Sequence, residues 1–187
     1  MLAARTKTQN AVVRPQSRSI SAFFSSLLEH LVLPSGSFEL AYSSLALHYI
    51  VNLEGLLATV RAALVPGGRL IFSVEHPIFT APMNPGWSVD AAGRKAWPVD
   101  GYLDEGPRST DWLAKGVIKQ HRTIGTYVSL LVGSGFSLSH IDEWGPSHEQ
   151  VAARPDWADE RQRPPFLLVA CSRPAATEEA GGLRSVD

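Results

Sequence analysis

The sequence has few of the features that mark secreted, membrane-spanning or nucleic-acid-binding proteins. It has one cysteine, Cys171, among 187 residues, so no internal disulfide can form and a reducing compartment such as the cytoplasm is expected. The formal net charge of −1 gives no global attraction to nucleic acid or to an anionic membrane. No apolar run reaches the roughly 18 residues that span a bilayer. We therefore expect a cytoplasmic protein without nucleic-acid or membrane partners, and a buried, inert thiol.

The motifs of several well-known enzyme classes are also lacking. The sequence contains no G-x-S-x-G nucleophile elbow, no Walker A loop and no G-x-G-x-x-G fingerprint. Gly133-Ser134-Gly135 stands between a predicted helix and a predicted strand, whereas a phosphate loop follows a strand and precedes a helix. We interpret these glycines as a helix C-cap. The six histidines show no metal-ligand spacing, so no metal site is expected.

Acidic residues are missing from the start of the chain. The only charged residues in residues 1–19 are Arg5, Lys7, Arg14 and Arg18. Such a start resembles a mitochondrial or plastid transit peptide, and a basic N-terminal segment that is loose or helical is the alternative. Residues 20–173 are predicted to form an α/β domain, and residues 174–187 a disordered tail.

The stretch from Phe38 to Pro77 predicts a βαβ unit. Apolar and polar residues alternate over residues 38–43 and 69–75, which is the period of a strand. Between them, apolar residues recur at helical spacing from Leu53 to Leu64, and Pro66-Gly67-Gly68 ends the helix. The two strands are expected to be parallel, with a right-handed crossover. Ligands of parallel sheets lie beyond the carboxyl ends of the strands, so the site is expected there.

The rest of the chain predicts helices and strands around this unit. Residues 20–33 favour a helix, although a short strand at 20–24 is also compatible with the pattern. The C-terminal half predicts, in order, a strand or hairpin arm (117–123), a helix (122–132), a strand (136–144), two short helices (149–153 and 157–161) and a buried strand (165–172).

The segment 76–115 has no clear periodicity and is rich in proline and tryptophan. A loop of this length in a compact domain is usually functional or disordered, and three tryptophans argue against disorder. Two interpretations remain open. The segment is an ordered lid or substrate wall, or it is a structural excursion that packs on its own aromatic rings.

The motifs FELAYSSLALHY (residues 38–49), PGG and SVEHP resemble those of class I S-adenosylmethionine-dependent methyltransferases. The resemblance covers about residues 20–173 and is fairly specific for a subgroup that acts on small molecules. It implies an α/β fold with a partial Rossmann-like sheet. This sheet comprises the equivalents of the family's strands 4, 5, 6 and 7 with flanking helices, and the family's first two strands are missing. It also implies in-line transfer of a methyl group from S-adenosylmethionine to a small-molecule acceptor, with catalysis mostly by positioning.

On this resemblance the candidate site residues fall into three groups. The cofactor-binding candidates are Leu28 and Glu29 near the adenine, with Ser43, Ser44, Leu45 and Ala46 against the methionine end. The catalytic candidates, as bases or as groups that orient the acceptor, are His48, His76 and His121. The substrate-binding candidates are Glu75, Tyr102, Trp112 and Trp144.

The resemblance does not extend to the N-terminal motifs of the family. The family's G-x-G-x-G loop and ribose-binding acidic residue do not occur in the expected place, and residues 1–5 are similar to the helix after the family's second strand. The expectation is a truncated domain in which the strand at 38–43 has an unpaired edge. The alternative function is a non-catalytic fragment or pseudoenzyme that self-associates through that edge. A third interpretation is another α/β enzyme with an unrecognised nucleotide site.

Overall fold

The computed structural model describes residues 2–5, 28, 30–111 and 115–175, with residues 2–5 described by their backbone only. In chain order the elements are β1 (Leu2–Arg5), β2 (Phe38–Ser44), a 3₁₀ helix (Leu47–Tyr49), α1 (Leu53–Ala63), β3 (Leu64–Glu75), α2 (Pro77–Thr80), β4 (Ser88–Val89), β5 (Lys95–Ala96), β6 (Gly106–Thr110), β7 (Val117–His121), α3 (Ile124–Gly133), β8 (Ser137–Trp144), α4 (His148–Ala153), a second 3₁₀ helix (Pro155–Arg161) and β9 (Phe166–Ser172). A five-stranded sheet has the order β1-β2-β3-β9-β8, and β4–β5 and β6–β7 form separate two-stranded sheets.

The predicted βαβ unit is confirmed. Strands β2 and β3 are parallel, and α1 begins where the side chain of Asn52 accepts a hydrogen bond from the N–H of Gly55 at 3.0 Å. The apolar stripe of α1 is buried in the main core, which supplies most of the helix's stability. The prediction that β3 starts near residue 69 is wrong. Pairing begins at Leu64, and residues 65–68 form an irregularity in the β2–β3 register, with Gly67 at φ 78°.

The C-terminal elements follow the prediction closely. Strands β8 and β9 are an antiparallel pair, and β9 lies between β8 and β3. Gly133 is the last residue of α3, and Gly135 has φ 78°, as expected for a helix C-cap. Cys171 is buried on β9, and burial raises the pKa of its thiol to about 12, which fits an inert thiol. Among the described residues, no helix is long and apolar enough to cross a membrane.

Strand β1 covers the edge of β2 that was expected to be unpaired. It pairs antiparallel with β2, from Leu2 opposite Ser43 to Arg5 opposite Leu40. The prediction of a loose or helical start is therefore wrong for Leu2–Arg5. The physical reason is that an open edge presents a row of unsatisfied backbone groups, which any extended segment within reach can pair with. Because β1 occupies this edge, the structure does not support self-association through it.

Several predictions fall outside the described residues. They concern the rest of the basic segment 1–19, most of the predicted helix at 20–33, and the tail from residue 176 onwards. Two candidate site residues, Glu29 and Trp112, also lie outside the described part of the chain.

The segment 76–115 is held together around a buried arginine. Arg108 is 7% exposed, and its guanidinium donates to four backbone carbonyls, those of Ala81 (3.0 Å), Gly101 (3.2 Å), Pro107 (3.4 Å) and Asp104. The segment also packs on its own aromatic rings, since Trp97 stacks on Phe79 with ring centroids 5.5 Å apart. This contact supports the interpretation of the segment as a structural excursion that packs on its own aromatic rings. The cavities described below also support its interpretation as an ordered lid or substrate wall.

Replacing Arg108 by methionine should open this segment without unfolding the whole sheet. The change leaves up to four carbonyls without their donor, at a cost on the order of 1–3 kcal/mol for each buried group. Hydrogen exchange of residues 77–110 should therefore rise by at least about tenfold, while exchange in β3 and β9 changes little. Arg94→Met is the matched control, because the Arg94 side chain is 83% exposed. Equal exchange in the two variants would refute the anchoring role of Arg108.

Candidate functional site

The chain turns sharply at the carboxyl end of β2. Leu45 has φ 49°, and it is the one non-glycine residue with positive φ in the described part of the chain. Its N–H donates to the carbonyl of Ser73 on β3 at 2.9 Å and lies 3.3 Å from the Ser73 hydroxyl. A left-handed leucine costs on the order of 1–3 kcal/mol, and such outliers cluster at ligand-binding sites. The strained turn therefore marks the end of β2 as a candidate site.

A buried hydroxyl without a partner precedes this turn. Ser43 is fully buried, and its Oγ has no hydrogen-bond partner among the described residues. A buried polar atom in this state calls for a ligand, a water or another explanation. Ser44 is partly buried and Ala46 is buried beside it. Leu28, by contrast, belongs to the hydrophobic core, which gives no support to its predicted contact with an adenine ring.

His48 fixes the end of β3 from the neighbouring 3₁₀ helix. Its Nδ1 accepts a hydrogen bond from the N–H of Glu75 at 3.3 Å, and its buried Nε2 has no partner among the described residues. Burial, with a smaller effect of the positive charge on Lys119, lowers the pKa of His48 to about 3. An imidazole with so low a pKa is a weak base at neutral pH. The geometry therefore supports a positioning role for His48.

His76 caps α2 and ties it to β8. Its Nδ1 accepts from the N–H of Ile78 at 3.0 Å, so its Nε2 carries the proton and donates to Oε1 of Glu143 at 2.8 Å. Burial lowers the pKa of His76, and Glu143 opposes this effect. Since both ring nitrogens already have partners, His76 is suited to orient the strand ends.

His121 joins β7 to the segment 76–115. Its Nε2 donates to the carbonyl of Tyr102 at 2.9 Å, so its Nδ1 accepts from the hydroxyl of Thr80 at 2.9 Å. Burial is the main cause that lowers the pKa of His121. The three predicted histidines thus support orientation of the site, and the structure offers no support for a role as bases.

A buried ion pair lies behind the end of β3. Oε1 of Glu75 is 2.7 Å from Nζ of Lys119, and the two side chains are 4% and 2% exposed. Burial raises the pKa of Glu75, while Lys119 opposes the rise. Lys119 was not among the site residues predicted from the sequence. Its position two residues before His121 on β7 was the available signal, because residues two apart on a strand point to the same face.

Two cavities meet at Glu75. The larger, about 490 Å³, has mainly aromatic and proline walls, and the second is about 360 Å³. Glu75, Phe79 and Arg163 line both. The guanidinium of Arg163 lies 4.4 Å from the ring centroid of Phe79 and 4.3 Å from that of Trp97, so it stacks on both rings by cation–π interaction. Arg163 is a second residue of the candidate site that was not predicted from the sequence.

The predicted substrate residues do not all meet at these cavities. Glu75 lines both, and Trp144 lines the larger one. Tyr102 instead supports the site from behind, because its carbonyl holds His121 and its hydroxyl lies 3.4 Å from the N–H of Ile124. No cluster of three metal-ligating side chains occurs in the part of the chain that the structure describes.

Comparison with known proteins finds similarity to methyltransferases. Residues 1–72 match a family model described as a methyltransferase domain. The crystal structure of an S-adenosylmethionine-dependent methyltransferase from Mesorhizobium loti is 56% identical, with a TM-score of 0.75, over 78% of this chain and 67% of that chain. A Listeria monocytogenes structure ascribed to the same class is 36% identical, with a TM-score of 0.69, over 78% of this chain and 66% of that chain.

A curated relative without an assigned activity gives a further match. An uncharacterized protein from Haemophilus influenzae is 33% identical over 143 residues, and the match covers 73% of this chain and 54% of that protein. The chain thus spans about half the length of this relative.

Proposed function

Because the chain belongs to the S-adenosylmethionine-dependent methyltransferases, we propose that it takes part in methyl transfer from this cofactor to a small-molecule acceptor. The observation that carries the proposal is the turn after β2, where the strained Leu45 follows the buried, unpartnered hydroxyl of Ser43. This turn lies at the carboxyl end of a parallel strand, where open α/β sheets bind their ligands. The acceptor cavities begin at the end of the next strand, at Glu75.

The residues that are present fit the methionine end of the cofactor. Ser43 offers an unused hydroxyl there, and the neighbouring residues Ser44, Leu45 and Ala46 turn away from the sheet at the same point. When bound, the cofactor supplies a methyl group on a positively charged sulfonium. No G-x-G-x-G segment occurs in the sequence. The residues of this chain would hold the methionine end, orient the acceptor and keep water away from the strand ends.

Our proposal extends to the domain boundaries, the cellular compartment and the class of acceptor. We propose that residues 20–173 act as one domain and that the acceptor enters from the side of the segment 76–115. The single buried cysteine supports a reducing compartment such as the cytoplasm. The near-zero net charge favours a small-molecule acceptor over nucleic acid.

Titration calorimetry with S-adenosylhomocysteine tests the proposal. We expect saturable binding to the full chain and a loss of about 2–10-fold in affinity for Ser43→Ala, the effect of one hydrogen bond. Without ligand, Ser43→Ala should be as stable as the unmodified chain or more stable, because it removes a buried unpaired hydroxyl. The control is Ser37→Ala, in an exposed turn. No heat at millimolar ligand with a folded chain, or equal affinity for Ser43→Ala, would contradict the proposed cofactor contact.

A further inference from the structure

The second oxygen of Glu75 has no hydrogen-bond partner in the part of the chain that the structure describes. Lys119 occupies Oε1, whereas Oε2 is buried and unpaired among the described residues. A carboxylate oxygen taken from water without a donor is costly, more so than a neutral group. Glu75 also lines both cavities. The residue therefore provides an acceptor for a ligand that brings its own O–H or N–H group.

Formal charge is balanced around the larger cavity. Each charged side chain in its wall has a partner of opposite sign within 3 Å: Glu75 pairs with Lys119 (2.7 Å), Glu160 with Arg163 (2.9 Å) and Asp156 with Arg154 (2.9 Å). An ionic ligand would therefore gain no net attraction here, and it would have to give up its hydration. An uncharged ligand avoids that cost.

The walls of the larger cavity suit a flat molecule. They include four aromatic side chains, Phe79, Trp144, Trp157 and Phe166, with Pro146 and Pro165 beside them. The rings of Trp144 and Trp157 are nearly perpendicular, with centroids 6.4 Å apart. Aromatic walls with a few placed polar groups bind planar ligands by stacking and fix their orientation by hydrogen bonds.

Arg163 is the side chain that can give way to such a ligand. Oε2 of Glu75 is sealed from solvent, so a ligand reaches it by displacing a neighbour. The guanidinium of Arg163 is held by ring stacking and by Glu160, and the side chains of Arg163 and Glu160 are 5% and 33% exposed. Because Glu160 reaches solvent, the guanidinium can move outward with its partner and keep the ion pair. A ligand ring that takes the place of the guanidinium would keep the stacking on Phe79.

From these observations we propose that the methyl acceptor is a planar, uncharged compound whose hydroxyl or ring N–H group donates a hydrogen bond to Oε2 of Glu75. The proposal rests on the proposed function and names the class of its acceptor. It assigns Glu75 the recognition of the acceptor's donor group, and it assigns the aromatic rings the recognition of its flat face.

A pair of ligands that differ only in the donor tests this assignment. We would titrate the full chain, without cofactor, with 6-hydroxyquinoline and with 6-methoxyquinoline at pH 7.5. A hydrogen bond to a charged acceptor predicts at least about tenfold tighter binding of the hydroxy compound. Equal affinity, tighter binding of the methoxy compound, or no binding of either would overturn the proposal. Because this titration uses no cofactor, its result is independent of the titration with S-adenosylhomocysteine.

Glu75→Gln then locates the hydrogen bond. Lys119 can only donate, so it should hold the amide oxygen of the glutamine and leave the NH₂ group in the place of Oε2. The preference for the hydroxy compound should fall to within about twofold, because the acceptor has become a donor. Glu149→Gln, on the exposed face of α4, should keep the preference. Retention of the full preference in Glu75→Gln would overturn the assignment.

Trp144→Leu provides a second test that leaves the Glu75–Lys119 pair intact. It removes an aromatic wall of the larger cavity, so both compounds should bind several-fold more weakly while the preference between them is kept. Unchanged affinity for both compounds would place them outside this cavity and overturn the proposal. Circular dichroism shows whether each variant is folded. The titration of Trp144→Leu tests the proposal even if Glu75→Gln does not fold.

Discussion

Replacing Lys119 by methionine is expected to lower the free energy of unfolding by about 3–5 kcal/mol. The substitution keeps most of the side-chain volume but leaves Glu75 as an unpaired charge in a buried site. Attraction at 2.7 Å offsets the desolvation of the two groups only while both are present. Urea unfolding at pH 7, followed by circular dichroism, measures the loss.

The double variant Glu75→Gln with Lys119→Met separates the ion pair from simple packing. It removes both charges, so much of the lost stability should return.

Lowering the pH should stabilise the Lys119→Met variant, because protonation of Glu75 removes the unpaired charge. Burial already raises the pKa of Glu75, and loss of Lys119 removes the opposing effect. Glu75 then favours folding in its protonated form, below its unfolded pKa, and this contribution is lost as the pH rises through the folded pKa. A loss below about 1 kcal/mol at pH 7 would show that the pair is not structurally important.

The second large effect is a loss of stability in acid caused by the buried histidines. The pKa of His48 is lowered from 6.5 to about 3, and burial also lowers those of His76 and His121. As the pH falls, a histidine whose pKa is lowered by folding takes up its proton in the unfolded state at a higher pH than in the folded state. Its contribution to stability is therefore complete above pH 6.5 and is lost as the pH falls toward the folded pKa. His48 alone should remove on the order of several kcal/mol by pH 3.

The slope of stability against pH is the quantity to measure. Urea unfolding at several values between pH 4 and pH 7 should show His48→Gln to be shallower than the unmodified chain by about 1.4 kcal/mol per pH unit. His140→Gln, on the exposed part of β8, is the control and should keep the slope. Glu75 acts in the opposite sense, since its raised pKa favours folding at low pH, but it is present in all three proteins. Identical slopes for His48→Gln and the control would contradict the buried, neutral state of His48.

The elements with a clear hydrophobic period were predictable from the sequence. Helix α1 and strand β9 each bury a regular apolar face, and that period is a local property of the chain. Strand β1 was not predictable, because its partner lies more than thirty residues away and four residues carry little pattern. Propensity has little weight where an open sheet edge decides the conformation of a short segment.

The sequence also predicts a site at the carboxyl ends of β2 and β3, but it does not predict the contacts of the side chains there. The rule that ligands lie at the carboxyl ends of parallel strands indicated Ser43, His48 and Glu75. The partners of each side chain depend on contacts between distant segments, such as Lys119 with Glu75 and Thr80 with His121. These contacts favour the acceptor-orienting role that the sequence left open for the histidines beside the role of base. Arg163 lies in a polar stretch, and only the folded chain shows that aromatic rings surround it.

Photochemical cross-linking of methyl-labelled S-adenosylmethionine tests the central claim most directly. Irradiation of the complex, followed by trypsin and mass spectrometry, shows which peptide contacts the cofactor. The account predicts label in the tryptic peptide of residues 19–61, within residues 43–46, and loss of the label when excess S-adenosylhomocysteine is present. Label confined to other peptides, or no more label than in the heat-denatured chain, would contradict a cofactor site at the end of β2.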